Sequence, residues 1–242
     1  MRALAAQVRN ELRLTFRQGE QLIVSVGIPL GILVFFAKVD VLPKGGIARP
    51  VDFLTPAVLA LAVMSSSMVS LGIGTGFERY YGVLKRLGAT PLGRPRLIGA
   101  KILSVLVTEV AQFAVLIAAG AALGWSPTGG WAAAIAAAIL GTAAFAGLGL
   151  FLAGTLSGTL NLAVCNGLYL LLLITGGMMV PFEKLPHALR SIAEIFPAAA
   201  LSDAVIGSLT PGQHVHGGSW AVLFVWAIGM PLVAAWRFRW ES

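Results

Sequence analysis

His214 and His216 stand two residues apart, a spacing at which two imidazoles can share a metal ion. No carboxylate or cysteine pair accompanies them, and with His187 they read as parts of a solvated loop. Gly72, Gly74 and Gly76 in "GIGTGFER" imitate a phosphate-cradling loop, but they close an apolar run with no strand before it. They read as helix-packing glycines, Gly72 and Gly76 forming a Gly-x-x-x-Gly pair. The sequence contains no Gly-x-x-x-x-Gly-Lys-Ser/Thr, so no nucleotide loop, and no Ser/His/Asp set or carboxylate pair for catalysis. Cys165 is the single cysteine; it lies in an apolar run and reads as a small packing residue. One acid remains inside an apolar run, Glu109, with Gln112 a turn further on the same face. A charge near a bilayer centre costs about 3 kcal/mol on insertion scales, so Glu109 must face protein or water. It is either hydrogen-bonded glue between helices or a lining residue of a substrate path or subunit interface. Asn161 and Asn166 are weaker candidates for the same roles.

The elements that must hold these residues are membrane spans. Of 242 residues 57% are hydrophobic and 11% charged, more apolar surface than a soluble chain of this length can bury. The net charge of +7 does not point to nucleic acid, because the basic residues flank apolar runs as cytoplasmic segments do. A helix needs about 20 apolar residues to cross the hydrocarbon. Six runs qualify: 21–37, 53–77, 97–125, 131–156, 161–180 and 219–236. Pro29 and Pro231 lie inside two of them, which neighbouring helices and water tolerate. The start, "MRALAAQVRNELRLTFRQ", lacks a compact apolar core and a cleavage site and is expected to be retained.

Lysines and arginines orient the bundle. With the N-terminus inside, Arg2, Arg9, Arg13, Arg17, Arg79, Lys85, Arg86, Arg94, Arg96, Lys101, Arg237 and Arg239 fall on the inner side, and only Lys38, Lys44, Arg49, Lys184 and Arg190 outside. Both termini are therefore expected in the cytoplasm. Residues 1–18 form one unit and 19–242 the six-span domain. In the first unit Leu4, Val8, Leu12 and Phe16 recur every four residues beside a basic face, the pattern of a helix lying in the interface. It is either a plain anchor or an anchor that also packs on a cytoplasmic subunit. Between the fifth and sixth runs, Leu189, Ile192, Ala193 and Phe196 at helical spacing, with Pro186 and Pro197, predict one or two short outer helices.

The densest charge lies in "FERYYGVLKRLGATPLGRPRLIGAK", residues 77–101. Tyr80, Val83, Leu84 and Leu87 share one helical face, Arg79 and Arg86 another; Gly88 and Pro91 end the helix. A loop that merely sets topology needs the charge but no apolar stripe. A docking helix needs both, inserting the stripe into a groove of a soluble partner.

This stretch resembles the loop after the second span in permease subunits of ABC-2 type exporters, of the drug- or lipid-exporting, DrrB-like kind. Glu78-Arg79, Gly82, Leu84, Leu87, Thr90-Pro91, Arg94 and Lys101 occupy the places of that pattern, and the likeness extends to the amphipathic start, six spans and helical outer segment. The resemblance implies an all-α polytopic fold in the bacterial cytoplasmic membrane. Glu78, Arg79, Tyr80, Val83, Leu84, Leu87, Thr90 and Pro91 would then couple to a separate ABC ATPase, present in two copies and carrying ATP and Mg, with no cofactor in this chain. It also implies a second permease, identical or homologous, a path between the two lined by spans one, two and five, and a small amphipathic cargo. Gly27/Gly31, Gly120/Gly124 and Gly154/Gly158 could serve internal packing or that second permease. The rival reading is an ion- or proton-coupled secondary transporter, which would want several intramembrane ionisable residues and repeated halves. A non-transporting scaffold is the third.

Overall fold

The computed structural model describes residues 2–17, 19–39, 49–89, 93–127, 129–178 and 187–239, and among these every regular element is a helix. Helix α1 (Arg2–Arg17) precedes α2 (Gly19–Lys38). Then α3 (Pro50–Met64), a π-helical segment (Ser65–Ser70) and α4 (Leu71–Tyr80) run as one continuous 31-residue helix. A short α5 (Val83–Gly88) leads to α6 (Arg94–Ala122), α7 (Trp131–Thr155) and α8 (Gly158–Thr175). The small helices α9 (His187–Ala193) and α10 (Pro197–Leu209) precede α11 (Gly217–Arg237).

Five of these helices are long and apolar enough to cross a membrane: 50–80, α6, α7, α8 and α11. The chain is a polytopic membrane protein. Helix α2 stands where the first run was expected, with Ser25–Lys38 as its apolar part. Most helix ends shift from the sequence expectation by one to three residues, and two fall short by three or more for one reason. Glycines at φ +90° (Gly124) and +75° (Gly177) turn the chain after α6 and α8, stopping them short of Trp125 and Val180.

Helix α7 is the hub, packing against α4, α6, α10 and α11. Its glycines allow this. A β-carbon on Gly149 would lie 2.7 Å from the Met68 carbonyl oxygen, and one on Gly141 2.7 Å from Leu201. The π-helical turn falls where α4 crosses α7. Ser66 Oγ lies 2.9 Å from Ala62 O and Ser67 Oγ donates to Val63 O, side-chain contacts of the kind that compete with the α-helical ladder and bend it.

Helix α10 is almost wholly buried against α3, α7 and α11. Thr210 Oγ1 donates to Asp52 O (3.0 Å), and the Asp52 carboxylate accepts from Arg49 Nε (3.0 Å) and from Ser126 N (3.3 Å). At its other end Trp226 Nε1 donates to Ile195 O (2.9 Å). The expected outer segment thus holds two helices, and the second lies within the bundle. His216 Nδ1 lies 2.7 Å from Asp203, which also accepts from His216 N and Ser219 Oγ, tying the start of α11 to α10. His214 is exposed and His187 begins α9.

Helix α1 packs on α6 and α2. Among its described side chains Gln7 and Glu11 are buried, Val8 and Leu12 half-buried and Leu14 exposed.

Candidate coupling site and buried polar network

The sequence predicts one three-turn helix from Glu78 to Leu87. The structure divides it. Helix α4 ends at Tyr80, Gly82 adopts φ +73°, and α5 restarts at Val83. That left-handed conformation suits glycine, and the apolar period happens to run straight through it. The break separates residues expected on one face. Tyr80, Tyr81 and Val83 are exposed, at 62%, 71% and 44%. Tyr81 stacks on Phe77 at 6.3 Å and meets Tyr80 edge-on at 5.2 Å, forming an aromatic knob at this end of the bundle. Leu84 points the other way, fully buried against Leu97 and Phe238, with Leu87 packed alongside. Thr90 and Pro91 lie outside the described residues.

Arg79 is turned inward as well. Its Nη1 donates to Ala153 O and Leu156 O, both at 2.9 Å, where α7 ends. A guanidinium there meets orphan carbonyls and the negative end of the helix dipole. Arg79 therefore fastens α4 to α7. Lys85, Arg86, Arg94 and Arg96 are exposed around the knob.

Glu78 faces Lys101, whose Nζ lies 2.8 Å from Glu78 Oε2 and 3.1 Å from Glu11 Oε2. Gln7 Nε2 donates to the other Glu11 oxygen at 2.7 Å. Lys101 has no exposed surface to speak of, at 1%. A lysine is buried to that degree only when paired, and here two carboxylates from two other helices pair it. Glu11 and Gln7 escaped the sequence reading. The available signal was a lone acid among the arginines of α1, four residues after a glutamine.

Deeper on α6, Glu109 is buried at the π-helical turn. Ser66 Oγ donates to its Oε1 at 2.8 Å, and Thr142 Oγ1 of α7 donates to Oε2. Gln112 Nε2 donates to Ser25 O of α2 at 2.7 Å. Glu109 and Gln112 together thus join α2, the π-helical segment, α6 and α7. Asn161 is fully buried; its Nδ2 donates to Gly72 O at 2.9 Å and its Oδ1 accepts from Cys165 Sγ at 3.4 Å, sealing α8 to α4. Asn166 is exposed and bonds only within its own helix, to Leu162 O. So Glu78 and Lys101 meet, Glu109 and Gln112 neighbour one another, and the two asparagines lie apart.

Of the Gly-x-x-x-Gly pairs, Gly120, Gly154 and Gly158 meet Thr55, Phe238 and Tyr80 within the chain. A β-carbon on Gly27 or Gly31 would meet nothing within 4 Å, and both glycines are exposed.

An exposed apolar knob tops the end of one long helix, and ion pairs and hydrogen bonds tie that helix to its neighbours. Comparison with known proteins places the chain in a family. The chain is similar to a Bacillus subtilis (strain 168) protein named "Putative transport permease YvfS", 25% identical over 232 residues, covering 92% of this chain and 86% of that one. The family model described as "ABC-2 type transporter" matches residues 2–210, which include α1, the knob, Lys101, Glu109 and α10. A chain matched over that length, with this helical architecture, belongs to the ABC-2 type transporter family.

Proposed function

We propose that this chain is the membrane-spanning subunit of an ATP-driven exporter in a bacterial cytoplasmic membrane. In this reading six helices cross, α2 being the first, and both termini are cytoplasmic. Residues 1–18 are the interfacial unit and 19–242 the span domain. Two ATPase subunits supply ATP and Mg, and a second permease, identical or homologous, completes the path. The cargo is small and amphipathic, drug- or lipid-like. The chain has no catalytic residue of its own and no affinity for nucleic acid.

One observation carries the reading: the exposed Tyr80-Tyr81-Val83 knob, ringed by exposed basic residues, on the helix that buries most of its surface in the bundle. Apolar side chains exposed this way at a cytoplasmic face fit the groove of a soluble partner. Glu78, Arg79, Leu84 and Leu87 serve it from beneath, and Thr90-Pro91 follow it in sequence. The exposed face of α2 that carries Gly27, Ile28, Gly31 and Phe35, together with Asn166 on α8, offers a surface for the second permease. Glu109 and Gln112, buried between helices, are weak candidates for lining that path.

Co-purification tests this. The chain is expected to bring down a P-loop ATPase. Tyr80→Asp with Val83→Asp should weaken that association by at least about 2 kcal/mol, the range of buried interface anchors, while the permease inserts and melts as before. Leu84→Asp is no test of docking, since it would bury a charge against Leu97 and Phe238. Undiminished retention of the ATPase by the double variant would overturn the reading. A chain that purifies alone and responds to a proton gradient would be a secondary transporter.

A further inference from the structure

Lys101 sits between two helices that the bundle's apolar contacts leave loosely connected. Helix α4 ends in the knob, while α1 rests on α6 through Gln7 and Glu11. The ammonium reaches both carboxylates at once, at 2.8 Å and 3.1 Å. Eight residues further along α6, about 12 Å, Glu109 takes the Ser66 hydroxyl from the middle of the same long helix. Helices 50–80 and α6 are therefore pinned to each other at two heights. Two pins prevent sliding and rotation where one would permit both.

Packing alone does not explain this choice. An apolar side chain would fill the volume without two desolvated carboxylates beside it, and well-packed apolar replacements of buried ion pairs are often as stable or more so. What a cation held between two anions provides is a fixed register. Without it, Glu11 and Glu78 would confront each other as like charges in a buried space.

Resting on the proposed docking of an ATPase at the knob, we propose that Lys101 is a positioning residue for transport: it binds α1, α4 and α6 into one rigid unit, so a thrust on the knob displaces all three together. Helix α1 is then a moving part of the mechanism and not only an anchor.

The test uses the full chain in lipid nanodiscs, alone and with its ATPase. Spin labels are placed at Arg13→Cys on α1 and at Ala89→Cys just after α5; both positions are exposed, and the native Cys165 is buried. The label separation is read by pulsed electron resonance, and ATP hydrolysis is followed in parallel. The expected result is a narrow distribution that ATP does not split. Lys101→Met should broaden it and cut permease-stimulated hydrolysis at least fivefold while the ATPase still co-purifies. Lys101→Arg keeps the cation and should restore both. If Lys101→Met fails to insert, Glu11→Gln, which weakens only the α1 arm, should broaden the same distribution. A distribution as narrow in Lys101→Met or Glu11→Gln as without them overturns the proposal, and so does an equal loss in the Met and Arg variants. Failure to find any ATPase would defeat the proposed function, yet the separation measured on the chain alone would still decide this point.

Discussion

Glu109 is satisfied in either protonation state. Ser66 and Thr142 each carry one hydroxyl proton, and each also reaches a carbonyl of its own helix, Ala62 O at 2.9 Å and Ala138 O at 2.8 Å. With Glu109 ionised, both hydroxyls turn to the carboxylate. With it protonated, the acid donates to one hydroxyl, which returns its proton to its own carbonyl. Glu109→Gln should therefore melt within a few degrees of the parent. Glu109→Ala, losing two intramembrane hydrogen bonds, should cost about 1–2 kcal/mol, read as a lower Tm in detergent. Unchanged transport in both variants would confine Glu109 to packing. The sequence showed that a lone intramembrane acid needs partners. It could not name Ser66 and Thr142, because hydroxyls in apolar helices ordinarily bond to their own backbone. Lys101 was legible only as a basic residue opening a span, since its acid partners lie 23 and 90 positions away.

At the scale of elements, the α4–α7 crossing depends on bare backbone. Gly149→Ala places a methyl 2.7 Å from Met68 O, an atom that cannot rotate aside, so the helices must part; a loss of about 1–3 kcal/mol is expected in thermal unfolding. Gly167→Ala on α8, with nothing within 4 Å, is the control and should be neutral or slightly stabilising. Helix lengths and order followed from hydropathy because a span must satisfy its backbone internally over a set thickness. The division at Gly82 did not, since the period Tyr80, Val83, Leu84, Leu87 continues across it. Nor did the inward turn of Arg79, which responds to carbonyls freed at the end of α7, 74 residues away. Sequence spacing sorts residues onto faces of one helix but does not reveal which face a neighbour covers.

For the whole molecule, the lopsided distribution of lysine and arginine makes a direct prediction. A membrane-impermeant maleimide should react with Ala89→Cys only from the cytoplasmic side and with His214→Cys only from the other, both positions being exposed and Cys165 buried. Labelling in the reverse sense would place the knob out of reach of any cytoplasmic motor. The two ends also differ in depth. Leu201 of α10 meets Gly141, about 15 Å along α7 from its start, whereas Ser208 meets Gly130 at that start. Trp226, which holds Ile195 O, likewise lies about 14 Å into α11. Non-spanning backbone thus reaches halfway through a hydrocarbon layer of about 30 Å. Lipid tails offer such peptide groups nothing, so α3, α7 and α11 must stay packed around α10 whenever the bundle moves.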